Sequence, residues 1–325
     1  MVSPVSSPPD VPAKRSLGRS QTMRQAQRMR ALVADLFLLP YLIFLLLFGL
    51  LPGIFALILS FSSFGNGTPD YFAAGLHNFV HAFTDFRFGP ALTDIAQFLI
   101  ISVPLGIVGV VVLSLLLHMK TGWFSNLMRT IYFLPGAVAG PTSVLIALFI
   151  FDPQVSPFRS LLSAFGYQQV VDVIQPGHLP LLFTLLGFFA GAGGWIAILY
   201  GGLKSISGEI LDAARVDGAS AWQTALYIKL PAIQRYVVYL FIITFAGNIQ
   251  LFTEPQLIGA SFSYVGIATI SPTWSPNQLG YFFAFNDGNF GAAAVMSLLM
   301  VAVGLAGAIL VIRLTGFFST DVSPD

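Results

Sequence analysis

Long apolar stretches separated by short polar ones dominate this chain. A helix that crosses the hydrocarbon core of a bilayer, about 30 Å thick, needs about 20 apolar residues. Six stretches reach this length, and each is bounded by charges, Pro/Gly clusters or Asn/Asp turns. They cover residues 36–61, 95–117, 130–151, 181–203, 236–255 and 291–312. The pattern predicts an all-α membrane protein with six transmembrane helices.

The composition agrees with this assignment. Of 325 residues, 56% are hydrophobic and only 9% are charged, whereas charged residues make up about a quarter of an ordinary soluble domain. The excess apolar surface therefore needs lipid to cover it. The chain has no cysteine, which excludes disulfide bonds and thiolate metal sites.

The basic residues indicate the orientation, because cytoplasmic loops of membrane proteins carry an excess of Lys and Arg. If the N-terminus is inside, only Arg87 and Arg159 fall outside. The other thirteen fall on one side, which predicts that both termini are cytoplasmic. They are Lys14, Arg15, Arg19, Arg24, Arg28, Arg30, Lys120, Arg129, Lys204, Arg215, Lys229, Arg235 and Arg313.

The chain divides into a membrane domain and two tails. We expect a disordered, basic cytoplasmic tail at 1–30, a six-helix domain at 31–316 and a cytoplasmic tail at 317–325. A cleavable signal peptide does not fit, since the first apolar run begins near Leu36 and is too long. The basic residues of the first tail are interpreted as a topology signal rather than as a nucleic-acid-binding arm, and no nucleic-acid partner is expected.

A polar segment at residues 204–235, between the fourth and fifth spans, has helix-end signals of its own. Ser207 suits an N-cap, with the carboxylate of Glu209 in the first turn. A short helix is predicted from Glu209 to Val216. Gly218 suits the left-handed conformation that ends a helix.

A second short helix follows in the same segment. Ser220 and Gln223 have the spacing of a capping box, which predicts a helix from Ala221 to Leu230. Pro231 is expected to break or redirect the chain before the fifth span. We call residues 204–235 the elbow. The plainer interpretation is an amphipathic helix that only lies at the lipid interface.

The residues of the elbow follow the pattern Asp212-Ala213-Ala214-x3-Gly218-x9-Ile228-x-Leu230-Pro231. This spacing resembles the EAA loop in the permease subunits of carbohydrate-type ABC importers, which include the maltose and glycerol-3-phosphate systems. The resemblance covers residues 36–315. Further matching stretches are Gly75-Leu76-x-Asn78-Phe79, Asp85-x-Arg87-Phe88, Arg129-Thr130-x-Tyr132-Phe133-Leu134-Pro135 and Phe290-Gly291-x-Ala293-Ala294.

Two positions depart from the family pattern. Asp212 stands where the family has Glu, and Gly259-Ala260-Ser261-Phe262 stands where a Gly-Gly-Pro turn is usual. The first departure affects the ion pair that this position would make with the ATPase subunit of such an importer. The second affects the outer loop after the fifth span.

The resemblance implies a type I ABC importer permease fold in a bacterial-type cytoplasmic (inner) membrane. It implies a second permease subunit in a heterodimer, two copies of a cytoplasmic ATPase subunit, an extracytoplasmic binding protein and a carbohydrate solute. The elbow residues implied to contact the ATPase are Glu209, Asp212, Ala213, Ala214, Asp217, Gly218, Ala219 and Pro231.

The chain is interpreted as a non-catalytic subunit without a cofactor. It has no Gly-x4-Gly-Lys-Ser/Thr phosphate-binding motif, so ATP hydrolysis is expected in the separate ATPase subunit. Two rival hypotheses are a secondary transporter, which would need carboxylates buried at mid-span, and a membrane scaffold whose elbow only docks a partner.

Polar and aromatic side chains inside the spans are candidates for the solute pathway, because burying them in lipid is costly. Asn248 and Gln250 are expected to hydrogen-bond sugar hydroxyls, and Trp195 and Tyr200 to stack on a pyranose ring. The alternative for each is interhelical hydrogen bonding or core packing.

One spacing suggests a metal site. His77, His81 and Asp85 are four residues apart in turn, which on a helix could present three ligands. The alternative is an outer-surface helix whose apolar face includes Leu76 and Phe79, and this alternative is preferred. No metal site is therefore expected.

Overall fold

The computed structural model describes residues 36–65, 68–120, 122–138, 140–263 and 270–315. The two predicted tails lie outside the described residues. The chain separates into two compact units, one up to Phe55 and one from Ala56 onward. The helix α1 (Leu36–Ser60) begins in the first unit. The side chains of residues 36–50 are all exposed in the chain alone, as expected of a helix that is covered by lipid.

The second unit is built almost entirely of helices. A short antiparallel pair, β1 (Ser63–Gly65) and β2 (Thr68–Asp70), precedes them, with Phe64 opposite Pro69. The helices are α2 (His77–Thr84), α3 (Phe88–Met119), α4 (Trp123–Phe133), α5 (Gly140–Phe151), α6 (Arg159–Ala164), α7 (Val170–Val173), α8 (Leu179–Lys204), α9 (Gly208–Val216), α10 (Ala221–Thr224), α11 (Leu230–Ala232), α12 (Gln234–Asn248), α13 (Thr253–Ser263), α14 (Pro276–Phe285) and α15 (Phe290–Thr315).

Five of the six predicted spans are apolar helical segments long enough to cross a membrane, although the predicted fifth one is interrupted at residues 249–252, between α12 and α13. They lie at Leu36–Ser60, Phe88–Met119, Pro176–Lys204, Gln234–Phe262 and Phe290–Thr315. The all-α prediction and the positions of these spans are confirmed. Most helices are longer than predicted, since their polar ends continue beyond the apolar stretch.

The third predicted span is broken rather than straight. The helical segments Trp123–Ala137 and Gly140–Phe151 meet at an angle of 108°. Pro135 opens a 3₁₀ turn at Pro135–Ala137, and Pro141 lacks the N–H group that a continuous helix would require at its position. The sequence therefore placed the span but not its bend.

Glycines let α8 approach this break closely. A Cβ atom on Gly193 would lie 2.1 Å from the carbonyl oxygen of Tyr132, and one on Gly136 would lie 2.9 Å from that of Ala190. Small residues permit such backbone contact between helices in lipid. The contact fixes the bent span against α8.

The core consists of three clusters of buried apolar side chains. One joins α3, α5, α7 and α8 with Leu251, Ile258, Ile270 and Trp274. A second joins α3 and α8 with the elbow and α12. The third joins α2 and the start of α3 with α14 and α15. Helices α3 and α8 contribute to the first two clusters and form the centre of the bundle.

Two of the quoted sequence stretches meet at the third cluster. The buried Asn78 donates from Nδ2 to the carbonyl oxygens of Ser60 (3.0 Å) and Ser62 (2.8 Å). A Cβ atom on Gly291 would lie 2.2 Å from that Nδ2 atom. Only glycine at 291 leaves room for the buried amide, which ties α2 to the end of α1.

An ion-pair cluster joins the start of α3 to the end of α14. Arg87 Nη2 lies 2.8 Å from Asp85 Oδ2 and 3.2 Å from Asp287 Oδ2. The guanidinium also lies 4.4 Å from the ring centre of Phe282. The hydrogen bonds from the Arg87 side chain, followed by that from its backbone N–H, hold the pKa of Asp85 below its ordinary value despite partial burial.

Candidate functional site

The first half of the elbow folds as its sequence predicts. Ser207 Oγ accepts a hydrogen bond of 3.2 Å from the backbone N–H of Glu209 and caps α9. At the other end, the Ala219 N–H donates to Ala214 O (2.9 Å) and the Gly218 N–H donates to Arg215 O (3.1 Å). These two bonds define a Schellman motif. Gly218 has the left-handed φ of 80° that the motif requires.

The second half of the elbow begins as predicted but is less regular. Ser220 Oγ accepts from the Gln223 N–H (3.2 Å), while Gln223 Oε1 accepts from the Ser220 N–H (2.7 Å). The capping box is thus confirmed. The helix is not a uniform α-helix, because residues Ala225–Lys229 form a π-helical turn.

The redirection of the chain falls two residues after Pro231. Pro231 lies inside the short helix α11, and Ile233, with φ of −100° and ψ of 6°, leaves helical geometry before α12 begins. The wider π turn accommodates a proline that has no N–H to donate. The predicted break is therefore displaced but present.

Several apolar side chains of the elbow are exposed on its surface. Ile210, Val216, Trp222 and Tyr227 are 52%, 88%, 60% and 76% exposed. Between its two helices lies a shallow groove of about 300 Å³. The groove is lined by Asp217, Gly218, Ala219, Gln223, Thr224, Tyr227 and Ile228.

The two alanines of the motif face in different directions. Ala214 is buried, at 7% exposure, whereas Ala213 is exposed. Ala214 thus serves the packing of the elbow itself. Ala213 is the one that a partner protein can reach.

The three acidic residues of the elbow, Glu209, Asp212 and Asp217, are exposed. Asp212 Oδ1 lies 3.2 Å from Arg215 Nη1, and these side chains are 71% and 82% exposed. Exposed pairs of this kind contribute about 0–1 kcal/mol. The pair with Arg215 therefore does not prevent Asp212 from binding another cation.

A cavity of about 200 Å³ lies in the bundle between α3, α8 and α12. We call it the bundle cavity. Its polar lining comprises Ser102, Thr184, Thr244 and Asn248, and Asn248 Nδ2 donates to Ser102 Oγ at 3.0 Å. None of the lining residues that the structure describes carries an ionisable side chain. The remaining lining residues are Phe98, Gly106, Val110, Phe183, Gly187, Phe188, Gly191, Ala192, Trp195, Leu240, Ile243 and Gly247.

Two of the four residues predicted for the solute pathway line this cavity, namely Trp195 and Asn248. The Trp195 ring contacts Tyr239 edge to face, with 5.7 Å between ring centres. Tyr200 lies elsewhere, 4% exposed and covered by the Arg129 guanidinium. Gln250 is exposed and donates from Nε2 to Ala246 O at 3.1 Å.

Sequence reasoning missed Ser102, Thr184 and Thr244 as cavity residues. The signal that identified Asn248, a polar side chain inside an apolar span, applies equally to them. It is weaker because a hydroxyl can bond within its own helix, as Thr184 Oγ1 does to Pro180 O at 2.7 Å. Only the packing of three helices shows which hydroxyls share a cavity.

The His77, His81 and Asp85 spacing does not assemble a metal site. Among the described residues, no group of three or more His, Asp or Glu side chains is placed to hold a metal ion. His81 packs edge to face on Phe283, at 5.4 Å between ring centres, and Asp85 binds Arg87.

Comparison with known proteins indicates the class of protein to which this chain is similar. No family model matches the chain. The probable ABC transporter permease protein YurN of Bacillus subtilis is 29% identical over 70% of this chain and 78% of its own length. The arabinooligosaccharides transport system permease protein AraP of the same organism is 26% identical over 88% of this chain and 89% of its own.

A solved structure of a bacterial ABC transporter for import of the acidic polysaccharide alginate contains a chain with the same fold. Its TM-score is 0.70 at 19% identity, and the match covers 92% of this chain and all of that one. The protein therefore has the fold of an ABC importer permease. The predicted resemblance to carbohydrate ABC importer permeases is confirmed, and the chain is a multi-pass protein of the cytoplasmic membrane.

Proposed function

We propose that this chain forms half of the translocation pathway of a binding-protein-dependent carbohydrate importer and couples to a separate ATPase subunit through its elbow. The geometry of the elbow is the main support for this proposal. The elbow is a rigid corner, fixed by the Schellman motif at Gly218 and the capping box at Ser220. Its outer side offers apolar and acidic side chains to a partner.

The elbow is also anchored in the bundle, so that a force on it reaches the spans. Ala225 and Ile233 are fully buried and belong to the same core cluster as Leu199 and Leu203 of α8. Packed cores move as units rather than deform continuously. Movement of the elbow would therefore shift α8 and α3, the helices that line the bundle cavity.

The cytoplasmic side of the membrane is assigned from charge. The elbow contains Lys204, Arg215, Lys229 and Arg235, and such an excess is typical of cytoplasmic loops. Both termini then lie in the cytoplasm. The ATPase would bind from this side, with two copies serving this chain and a second permease subunit.

The bundle cavity fits an uncharged polyhydroxyl solute. Its hydroxyl and amide groups offer hydrogen bonds to sugar hydroxyls, and its aromatic rings offer flat apolar surface. The described lining residues include no ionisable side chain and so provide no counter-charge for an acidic sugar, and desolvating an unpaired carboxylate is costly. Relatives transport arabinooligosaccharides and lactose, whereas the alginate importer handles an acidic polysaccharide.

The test is reconstitution of the chain with a second permease subunit, the ATPase and the binding protein in liposomes. We expect ATP hydrolysis to rise when binding protein and a neutral oligosaccharide are added, and to stay basal with a uronate oligosaccharide. Trp195→Ala should raise the half-saturating solute concentration. Tyr200→Phe, a change outside the cavity, should not.

Two outcomes would contradict the proposal. Solute uptake that proceeds without ATP, driven by an ion gradient, would favour a secondary transporter. An ATPase that binds the elbow but never responds to solute would favour a scaffold.

A further inference from the structure

Several basic side chains surround the ring of Tyr200. The Arg129 Cζ atom lies 4.0 Å from the ring centre and Lys204 Nζ lies 5.7 Å from it. The His118 ring centre is 5.6 Å away. Lys229 of the elbow is buried and lies between Ala225 and Ile233, two elbow residues of the core cluster that also contains Tyr200. We call the three cations Arg129, Lys204 and Lys229, together with the His118 imidazole beside them, the cationic cluster.

The cluster has no acidic partner among the residues that the structure describes. The three ion pairs within that part of the chain lie at Asp85–Arg87, Arg87–Asp287 and Asp212–Arg215. Arg129 Nη2 donates to the neutral amide oxygen of Asn126, and this does not neutralise the charge.

Two nitrogen atoms of the cluster are buried and unpaired. Arg129 Nε and His118 Nδ1 are inaccessible to water and have no hydrogen-bond partner. Lys229 is only 7% exposed, and burial lowers the pKa of its ammonium group. Because a buried cation without a counter-charge is strongly destabilising, the site is incomplete without an anion.

The position of the cluster indicates which anion. His118 is the penultimate residue of α3, and Lys204 is the last residue of α8. Both helices are membrane spans, so their shared end lies near the depth of the lipid headgroups. On α4, the exposed side chains of Trp123 and Phe124 are the kind that face the headgroup and upper acyl region.

We propose that the cationic cluster binds the phosphate group of an anionic phospholipid in the cytoplasmic leaflet. Arginine binds phosphate through its planar fork of donors, and lysine adds a compact charge. Basic pockets between spans at this level suit lipid phosphates. Lys229 contributes from the elbow, so the lipid joins the elbow to α3, α4 and α8.

The experiment uses the purified full-length chain in a neutral detergent, titrated with phosphatidylglycerol or phosphatidylcholine and examined by native mass spectrometry. We expect one phosphatidylglycerol molecule to be retained at least about tenfold more strongly than phosphatidylcholine. Arg129→Gln and Lys229→Met should each weaken its retention by about fivefold, as expected for one basic residue near a lipid surface. The exposed Arg235, changed to Gln, is the matched control and should leave retention within about twofold.

The wild-type comparison of the two lipids does not depend on how well any variant folds. Equal retention of both lipids by the wild-type chain would overturn the proposal. Saturation of the site by millimolar inorganic phosphate, with no retention of phosphatidylglycerol, would assign it to a free anion and overturn the lipid assignment. Weaker binding of the ATPase by Lys229→Met, without any lipid preference, would assign the counter-charge to a protein carboxylate instead.

Discussion

At the scale of single residues, backbone conformation and charge pairing decide what each motif position does. Gly218 has a left-handed φ of 80°, and a Cβ atom there would meet nothing within 4 Å. The requirement for glycine is therefore conformational and not steric. A β-branched residue in this conformation costs about 1–2 kcal/mol.

We expect Gly218→Val to open the corner of the elbow and to uncouple ATP hydrolysis from uptake, while membrane insertion stays normal. Gly208→Val is the matched control, because Gly208 also has open space around it but no positive φ. The measurement is solute uptake per ATP hydrolysed in proteoliposomes. Full coupling in Gly218→Val would contradict the proposed role of the elbow.

The contribution of Asp85 to the stability of the fold depends on its immediate partner, Arg87. Because hydrogen bonds from Arg87 hold its folded-state pKa below the ordinary value, its contribution to stability is complete above the unfolded-state pKa of about 4. That contribution is lost as the pH falls through the lower, folded-state pKa.

We expect Asp85→Asn to lower Tm at neutral pH, with the difference from the wild-type chain shrinking as the pH falls below about 4. The measurement is thermal unfolding in detergent from pH 7 to pH 3. Asp70→Asn, at an exposed strand position, serves as the control. A Tm difference that stays constant over this range would exclude the ion pair as its cause.

At the scale of elements, the broken third span shows how small residues position helices. The segments Trp123–Ala137 and Gly140–Phe151 bend by 108°, and the first of them lies against the backbone of α8 at Gly193. The bend and the contact depend on each other, since a side chain at 193 would occupy the space of the Tyr132 carbonyl.

We expect Gly193→Ala to destabilise the protein by about 1–3 kcal/mol, the usual cost of overpacking, and to lower Tm by on the order of 5 °C. Gly194→Ala should have little effect, because a Cβ atom there meets nothing within 4 Å. Thermal unfolding of the two variants in the same detergent gives the comparison. Equal Tm values would contradict the close contact between α4 and α8.

At the scale of the whole molecule, the elbow is the part that we propose as the contact with the ATPase subunit. The absence of cysteine from the chain permits single-cysteine variants without background. Ala213 and Ala214 are adjacent in sequence but differ in exposure. They form a matched pair for mapping the partner surface.

We expect Ala213→Cys to cross-link to the ATPase subunit in the assembled importer, and Ala214→Cys to react weakly because its side chain is buried in the chain itself. The measurement is the yield of cross-linked product with a short thiol-to-thiol reagent and a cysteine on the ATPase. Efficient cross-linking from Ala214→Cys alone would mean that the elbow docks through its other face. A reagent that cannot cross the membrane, if it labels Ala213→Cys from outside, would reverse the proposed orientation.

Local interactions account for what the sequence could predict. The apolar stretches located five spans and the bent pair of helices at the predicted third span, because a span must be about 20 residues long. Ser207, Gly218 and the Ser220–Gln223 pair located the elbow helices, because their hydrogen bonds join residues no more than five positions apart. The capping residues could therefore be predicted from the sequence, without knowledge of any tertiary contact.

Contacts between distant segments account for the rest. Packing placed Asn248 beside Ser102, left Tyr200 outside the bundle cavity, turned Ala214 inward and brought three basic side chains together around the ring of Tyr200. The sequence determined where the spans and the elbow helices lie, since an apolar stretch and a helix cap are both set by residues close together in the chain. The tertiary structure alone decided which side chains share a cavity, because that depends on how helices far apart in the chain rotate and approach one another.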